Sequence, residues 1–386
     1  MKKQDYDFSL EDLGTYELPP EIAHLEEFKK FAKPVKEDVW GFAIPQWDEN
    51  DAPNPLWYSI RENFIGASQI ATILGQDEYG DKVKLFYSKL GDSFPFVSSK
   101  FTQCGLFFEE RISDLWEYED GTEEGWIHNS FKGEKIRNKV PVPFYCINLN
   151  YPHISFSLDY LVEAHQPNPF TGEILDYSYP LEIKNLSQMS SDKYKSGIPQ
   201  KYVLQCITQQ FGWGVDYSEI SALVAGNTLI TLPLDLDIDI CSNIIEQTYE
   251  FWQRVKLGKE LYKDYHTKTP EEQKQVDMEL MRIEPEPSGN ADSFKEFMHA
   301  KYLVSYADTA RLGTEEEWDL AVKAKKLNDQ IKVLKKEKDV TDQMIKLSVR
   351  HDEVVDFGKD RGRILYKRTA LGKTVYRNNV KGYEDD

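Results

Sequence analysis

Two short segments of the chain carry the residues whose types and spacing are best suited to chemistry. Asp159 stands in the run SFSLDYLV, and Glu182 and Lys184 stand two residues apart in LEIKN. Carboxylates hold Mg²⁺, and a bound Mg²⁺ lowers the pKa of its water and neutralises charge on a phosphate, while a lysine steadies the attacking oxygen. Together the three residues predict metal-dependent hydrolysis of phosphodiester bonds.

Alternating apolar and polar residues predict that both segments are strands with one buried face. In HISFSLDYLVEA every second residue from Ile154 to Val162 is apolar, and the opposite face holds two serines and Asp159. In a second strand, predicted over 177–185, the spacing ExK places Glu182 and Lys184 on the same face. The three ionisable groups should therefore project from adjacent strands.

Helices are predicted on either side of these strands. Ser68 in FIGASQIATILG suits the N-cap of one helix, and Pro199 suits the first turn of another, over 199–212. This second helix bears Gln205 and Gln209, four residues apart and so on one face. Further helices are predicted over 82–90, 105–116 and 237–257, the last ending at Gly258, and strands over 220–226 and 228–234 form a hairpin.

These elements predict a mixed α/β domain over 58–258. Residues 1–57 are interpreted as an N-terminal extension of unknown role, with one helix at PPEIAHLEEFKKFA. The polar, proline-containing segment 259–290 is interpreted as a linker. Residues 291–386 are interpreted as a helical or coiled-coil region that ends in a basic hairpin, RGRILYKRTALGKTVYR.

The C-terminal region differs from the rest of the chain in charge. The net charge of the whole chain is −19, yet residues 323–377 hold sixteen Lys and Arg against eight Asp and Glu. A basic segment on an acidic body is compatible with DNA binding in one place, and a solvated lysine-rich helix explains the same charges. A 4,3 spacing of apolar residues also predicts a helical hairpin or a short coiled coil, at Leu320, Ala324, Leu327, Ile331 and Leu334.

The composition excludes several other classes of protein. With 386 residues and 40% hydrophobic content, the chain is long enough for one large domain with additions or for two domains. The N-terminus turns acidic without an apolar stretch, and no run approaches the roughly 20 apolar residues of a membrane-spanning helix, so a cytoplasmic protein without a membrane partner is expected. The four cysteines are at least thirty residues apart and are predicted to be reduced core residues.

Five segments, in chain order, carry a resemblance to a known family. They are IGASQIATILG at 65–75, GLFFEE at 105–110, SFSLDYLV at 155–162, LEIKN at 181–185 and YVLQCITQQ at 202–210. They resemble the phage-type recombination exonucleases of the YqaJ and lambda-exonuclease group, within the PD-(D/E)xK nuclease superfamily. The resemblance implies a restriction-endonuclease-like α/β core, with a mixed central sheet flanked by helices, and a helical C-terminal extension.

Carried over by position, the resemblance implies a metal site and a catalytic lysine. It makes Asp159, Glu182 and the backbone carbonyl of Ile183 ligands of the metal. The metal implied is Mg²⁺, with Mn²⁺ as a substitute. Lys184 becomes the catalytic lysine.

Two helices add residues to this implied site. Glu109 matches the glutamate that the family aims at the metal from a helix, whereas Glu110, about 100° further around a helix, would point elsewhere. Because Glu110 replaces the proline that is usual there, the alignment also permits a shift of one residue. Gln205 matches the glutamine of the helix motif QxxxY, but Gln209 occupies the tyrosine position, which weakens the implied role of Gln209.

The family's pocket for a 5′-terminal phosphate is partly present. Arg61 lies seven residues before Ser68, and Ser157 lies two residues before Asp159, as in the lambda-type enzymes. The arginine that those enzymes place six residues after the catalytic lysine is replaced by Ser190. This departure puts strict dependence on a 5′ phosphate in doubt. The two residues that could substitute for the arginine are Lys193 and Lys195.

Three functions compete on this sequence. The leading hypothesis is a Mg²⁺-dependent 5′ to 3′ exonuclease that acts on double-stranded DNA ends in phage-type recombination, together with a single-strand annealing protein. By resemblance such an enzyme would assemble as a homo-oligomer, a ring trimer. The alternatives are an endonuclease on the same core and a non-catalytic DNA-binding or assembly protein. Because Glu109, Asp159, Glu182 and Lys184 are all present, the non-catalytic alternative is disfavoured.

Overall fold

A computed structural model describes residues 8–46, 54–92, 100–122, 124–167, 174–186, 198–301, 312–349, 354–358, 361–368 and 374–380. The chain divides into two compact units, Met1–Leu303 and Val304–Asp386, and each is described by itself. Among the described residues, no helix combines the length and the apolar character that crossing a membrane requires.

The first unit contains ten strands and nine α-helices in the part of it that is described. The strands are β1 (Ala32–Lys36), β2 (Val39–Phe42), β3 (Ile65–Gly66), β4 (Lys139–Pro141), β5 (Tyr145–Asn148), β6 (Ile154–Ser157), β7 (Tyr160–Pro167), β8 (Ile174–Leu186), β9 (Tyr217–Val224) and β10 (Thr228–Asp235). The α-helices are α1 (Pro55–Arg61), α2 (Ile70–Ile73), α3 (Lys82–Lys89), α4 (Lys100–Trp116), α5 (Gly125–Lys132), α6 (Gln200–Trp213), α7 (Ile238–Tyr262), α8 (Pro270–Leu280) and α9 (Ala291–Lys301). Helices of the 3₁₀ type cover Pro20–Phe31, Ala67–Gln69 and Tyr265–Thr267.

The first sheet has the strand order β1-β2-β5-β6-β3. Strands β3 and β6 are parallel, and the other neighbours are antiparallel. Strands β1 and β2 thus extend this sheet, and Phe28 and Phe42 share one buried core with Tyr145. The interpretation of residues 1–57 as a separate extension is wrong for these residues, because their apolar side chains complete a core that later strands begin.

The second sheet has the order β10-β9-β8-β7-β4, with β8 and β9 parallel and the other pairs antiparallel. Helices cover both of its faces. On one face Trp116 of α4 packs with Leu181 and Ile183 of β8. On the other face Cys206 of α6 packs with Ile220 of β9. The predicted mixed α/β class, with a mixed sheet flanked by helices, is confirmed.

The chain crosses from the first sheet to the second at Asp159. Strand β6 ends two residues before Asp159, and β7 begins one residue after it and pairs in the second sheet. The prediction of one continuous strand over 153–164 with a single polar face is therefore wrong. Ser155 is fully buried and its hydroxyl shares a hydrogen bond with that of Tyr145, because β6 lies between β5 and β3 inside the first sheet.

Most of the predicted helices are confirmed, but α4 begins earlier than predicted, at Lys100, and α7 ends later. Helix α7 continues through Gly258 to Tyr262. A Cβ at Gly258 would lie 2.8 Å from the ring of Phe86, so the glycine permits close packing of α7 on α3 rather than ending the helix. The interpretation of 259–290 as a linker is also wrong, because α8 lies within it and Leu280 is fully buried in the core.

The four cysteines are free thiols. Cys146, Cys206 and Cys241 are buried, which confirms the prediction that they are core residues. The same prediction is wrong for Cys104, which is exposed. It lies in the first turns of α4, where Phe107 is exposed as well.

The second unit contains helix α10 (Glu315–Val349) and a three-stranded antiparallel sheet of β11 (Val354–Asp356), β12 (Gly362–Arg368) and β13 (Thr374–Val380). The predicted basic hairpin is confirmed as β12 and β13. Residues 320–334 lie on one long helix in place of a helical hairpin, and every residue from 323 to 341 is exposed. The coiled coil stays a prediction.

Candidate active site

Asp159 lies beside β8 at the crossing between the two sheets. The antiparallel register pairs Tyr160 with Leu181, so the residue before β7 reaches the level of Glu182. The Oδ2 atom of Asp159 accepts the backbone N–H of Ile183 at 2.8 Å. Burial, and then the charge of Glu182, raise the pKa of Asp159 well above its usual range. A half-buried carboxyl group with two carboxylate neighbours suits a cation ligand.

Glu182 is held by donors from its own strand and from α6. Only 2% of Glu182 is exposed, and its carboxylate accepts a hydrogen bond from Lys184. Gln205 and Gln209 each donate an Nε2–H to it, both at 2.6 Å. Gln209 Nε2 also donates to the carbonyl of Ser157 at 2.9 Å. Because both neighbours of that amide are acceptors, its NH₂ group must face them.

The structure gives Gln209 a larger part than the sequence resemblance does. Two residues on consecutive turns of α6, Gln205 and Gln209, contact the two oxygens of one carboxylate. The signal for this was their spacing of four, which places both on one helix face. The Oε1 atom of Gln209 is buried and accepts no hydrogen bond from the described residues.

Lys184 remains protonated in this setting. Burial by itself would lower the pKa of Lys184, but the charges of Glu182 and Asp159 outweigh burial, and the net shift is upward. Its Nζ also lies 5.4 Å from the centroid of the Tyr202 ring, on the face where a cation is attracted. Lys184 can therefore donate a hydrogen bond but does not act as a base near neutral pH.

Helix α4 brings Glu109 into the same electrostatic environment. Burial raises the pKa of Glu109, and the charges of Lys184 and Glu182 also act on it. Glu109 is half-buried, whereas Glu110 is exposed. The placement favours Glu109 over Glu110 as the glutamate that belongs to the site.

The side chains of this cluster fit a divalent metal in type and in charge. The carboxylates of Asp159, Glu182 and Glu109 act on one another, and among the described residues the positive charge that acts on them is that of Lys184. Carboxylate and carbonyl oxygens are the ligands that Mg²⁺ prefers, and the surplus of negative charge calls for a cation. Within the described ranges, no three His, Cys, Asp or Glu side chains converge as a ready-made metal site.

A separate cleft contains two of the three residues predicted to bind a terminal phosphate. Arg61 and Ser68 line a cleft of about 480 Å³. The Arg61 guanidinium carbon lies 5.4 Å and 5.9 Å from the ring centroids of Trp57 and Tyr145. The prediction that Ser68 is an N-cap is wrong, because the 3₁₀ helix begins one residue before it, at Ala67. Ser68 is instead exposed.

Ser157 does not line this cleft. It belongs to the metal-site cluster, since its carbonyl accepts the hydrogen bond from Gln209. The structure therefore brings Arg61 and Ser68 together and places Ser157 with the other group. Ser190, Lys193 and Lys195 lie outside the described residues.

A comparison with protein families matches the part of the chain that carries both groups of residues. Residues 56–211 match the family model of the YqaJ-like viral recombinase domain. This part of the chain is similar to a YqaJ-like domain. The match covers both groups of residues, from Arg61 to Gln209, and confirms the resemblance drawn from the five motifs.

Three solved structures are similar to the chain over about half its length. The alkaline exonuclease LHK-Exo from Laribacter hongkongensis has 15% identity and a TM-score of 0.38, over 55% of this chain and 98% of that one. The complex of LHK-Exo with dAMP has 16% identity and a TM-score of 0.35, over 55% and 98%. A phage related exonuclease from Haemophilus somnus 129PT has 12% identity and a TM-score of 0.31, over 53% and 99%. No curated protein matches the chain.

Proposed function

We propose that this chain is a metal-dependent exonuclease that degrades one strand of double-stranded DNA from its 5′ end, in recombination of the phage type. The observation that supports this best is the cluster around β8. In a YqaJ-like domain, Asp159, Glu182 and Lys184 lie at one crossing of two sheets, and the charge of Glu109 acts on Glu182 and Lys184. This cluster combines oxygen ligands, surplus negative charge and one protonated lysine.

The residues that would hold a metal are Asp159, Glu182, Glu109 and the carbonyl of Ile183. A bound Mg²⁺, or Mn²⁺, lowers the pKa of its water and offsets charge on the phosphate. The chain's own contribution is to position the oxygens. The Ile183 N–H fixes one oxygen of Asp159, and two glutamines fix both oxygens of Glu182.

Lys184 supplies a proton donor at the same place. Its ammonium group is held between Glu182 and the ring of Tyr202, and it keeps its proton. In the proposed reaction Lys184 Nζ donates a hydrogen bond to an oxygen of the scissile phosphate, where negative charge develops. Gln205 and Gln209 hold the Glu182 carboxylate in place beside Lys184 and are therefore positioning residues.

The proposed polarity depends on the cleft of Arg61 and Ser68. The planar fork of donors on arginine suits a phosphate, and a serine hydroxyl adds a further donor. A 5′-terminal phosphate bound there would hold the end of the strand that is to be cut. We further propose that the single strand left behind is taken up by an annealing protein, and that the chain acts as a homo-oligomer, a ring trimer.

End-labelled linear duplex DNA tests the activity and its direction in one experiment. With Mg²⁺, a duplex labelled at the 5′ end should release mononucleotide label at once, whereas a 3′ label on the same strand should persist in progressively shorter products. Removal of Mg²⁺ with EDTA should stop both reactions. Covalently closed circular DNA should remain intact, and its cleavage would favour an endonuclease.

Two variants and a matched control connect this activity to the site. Asp159→Asn and Glu182→Gln each remove one charge and keep the shape of the side chain. Glu163→Gln makes the same change on the exposed side of β7 and should leave cleavage unchanged. Full cleavage by either site variant would overturn the assignment of that residue. No cleavage by the wild-type chain under any metal would favour a non-catalytic DNA-binding protein.

A further inference from the structure

The cleft that contains Arg61 and Ser68 also contains a buried lysine. Lys89 is the last residue of α3, lines the same cleft, and is only 3% exposed. Its Nζ donates a hydrogen bond of 2.6 Å to the backbone carbonyl of Arg61. The position follows from the helix, because Phe86 and Tyr87 of α3 are fully buried and draw its last turn into the core. Lys89 has further N–H donors besides the one that Arg61 accepts.

Three of the four acids that line this cleft, Asp77, Asp81 and Asp92, accept hydrogen bonds from other residues. Asp81 caps α3 by accepting the N–H of Val83, and Asp92 accepts hydrogen bonds from Lys301 and Tyr262. Asp77 accepts hydrogen bonds from the hydroxyl of Thr72 and the N–H of Tyr79. The fourth acid, Glu62, acts on Lys89 through its charge, but no ion pair within 4.0 Å joins the two in the described part of the chain.

The cations of the cleft differ in whether they have an ion-pair partner. Lys84 lies 3.3 Å from a carboxylate oxygen of Glu296. In the described part of the chain, neither Arg61 nor Lys89 has a carboxylate within 4.0 Å, although the charge of Glu62 acts on Lys89 from further away. Two neighbouring cations without an ion-pair partner thus line a cleft that also presents the hydroxyl of Ser68.

A buried ammonium group with no carboxylate in direct contact is unfavourable, and a bound anion would stabilise it. Burial holds the pKa of Lys89 well below its usual range, and the charges of Arg61 and Lys259 act in the same direction. An anion between the two side chains would be attracted by both and would favour the protonated lysine. A phosphate can accept from the fork of Arg61 and from Lys89 at once.

We infer that Lys89 is the second cation of the terminal-phosphate site and binds the 5′ phosphate of DNA together with Arg61. This inference rests on the proposed function and deepens it. The sequence places no arginine at position 190, and Lys89, some hundred residues earlier in the chain, supplies the missing charge from α3. No local sequence pattern could show this, because the contact to Arg61 spans 28 residues and two helices.

Binding of blunt duplexes with a 5′ phosphate or a 5′ hydroxyl tests the inference. Fluorescence anisotropy with the full chain in EDTA gives the Kd for each duplex, and the ratio of the two is the phosphate preference. Lys89→Gln keeps a donor for the Arg61 carbonyl and removes the charge, and it should lower the preference about tenfold. Lys89→Met, which suits the buried site, should do the same, and thermal melting confirms that each variant is folded.

Two matched controls separate a phosphate contact from a structural role. Lys259 donates to the carbonyl of Glu62 at 3.2 Å, next to the Arg61 carbonyl that Lys89 binds, but does not line the cleft. Lys259→Gln should therefore leave the phosphate preference unchanged. If Lys259→Gln lowers this preference as much as Lys89→Gln does, the role of Lys89 is to hold α1 in place, and the inference is overturned. Lys82→Gln, on the same helix as Lys89, controls for net charge.

The remaining outcomes distinguish this inference from the proposed function. If Arg61→Ala lowers the phosphate preference and neither Lys89 variant does, Lys89 does not bind the phosphate. The proposal of an end-directed exonuclease then still stands. If the wild-type chain has no preference, both the Lys89 contact and the phosphate cleft are overturned. Mg²⁺-dependent cleavage, measured separately, then decides whether the nuclease itself stands.

Discussion

Gly212 on α6 is the position where a small change in packing should be felt at the active site. A Cβ there would lie 2.6 Å and 2.7 Å from two ring carbons of Phe156, on β6, whereas ordinary contact begins near 3.4 Å. Gly212→Ala must therefore move α6 and β6 apart by about 0.8 Å. Because α6 also carries Gln209, the movement draws this amide away from Glu182 and Ser157.

The expected effects on stability and on cleavage differ in size. Overpacking a core costs about 1–3 kcal/mol, while alanine is favoured over glycine inside a helix by about 1 kcal/mol. The net loss in the free energy of unfolding should be at most about 2 kcal/mol, so the variant folds. Misplacement of catalytic groups by about 1 Å lowers a rate about 100-fold. We therefore expect kcat of Gly212→Ala to fall by about 10- to 100-fold.

Cleavage of a 5′-hydroxyl duplex with Mg²⁺, together with thermal melting, measures both effects. Gly258→Ala is the matched control, because a Cβ there would lie 2.8 Å from the ring of Phe86, in the contact between α7 and α3. It should lower the melting temperature and spare kcat. Phe156→Leu, added to Gly212→Ala, removes part of the ring and should restore cleavage. A wild-type kcat for Gly212→Ala, or an equal loss in Gly258→Ala, would refute the reasoning.

The remaining predictions concern charge, pH and the second unit. Asp159→Asn and Glu182→Gln should abolish cleavage yet leave the metal-free free energy of unfolding level or higher in chemical denaturation, since each removes surplus negative charge. Burial lowers the pKa of His153 to about 4 in the folded chain. As the pH falls, His153 is therefore protonated in the unfolded chain before it is protonated in the folded chain. The free energy of unfolding should thus fall by up to about 3 kcal/mol from pH ~6.5 to ~4, and His153→Gln should flatten this slope. Deletion of 304–386 should reduce processivity more than single-turnover cleavage, and light scattering that shows a wild-type monomer with full processivity would contradict the ring. The cut falls after α9 because Phe297 is buried in the first unit.

The sequence predicts the chemistry of the site better than its surroundings. The alternation in β8 correctly places Glu182 and Lys184 on one face, opposite Leu181. The alternation does not show that α6 also covers this polar face, since α6 lies some twenty residues further along the chain. The glutamines of α6 add two donors to a buried carboxylate that also accepts a hydrogen bond from Lys184.

The errors at the two ends of the first unit share a physical cause. The strand pair that joins β2 to β5 links residues about a hundred positions apart, and no local pattern encodes such a pairing. The segment 259–290 is polar on average, and its contribution to the core depends on a few side chains such as Leu280. Average composition predicts exposure, whereas a helix needs only one apolar stripe to be held in place.

The interruption of the strand at Asp159 has a role that a continuous strand could not fill. In an unbroken strand Asp159 would have pointed with Ser157 and Ser155 from one polar face. Instead β6 buries Ser155 inside the first sheet, and the chain turns before β7 begins. The turn lets the Asp159 carboxyl reach back to the Ile183 N–H and lie beside Glu182. The two carboxylates thus lie side by side because the chain changes sheets at Asp159, and a variant that straightened this crossing should lose the site even with every ligand present.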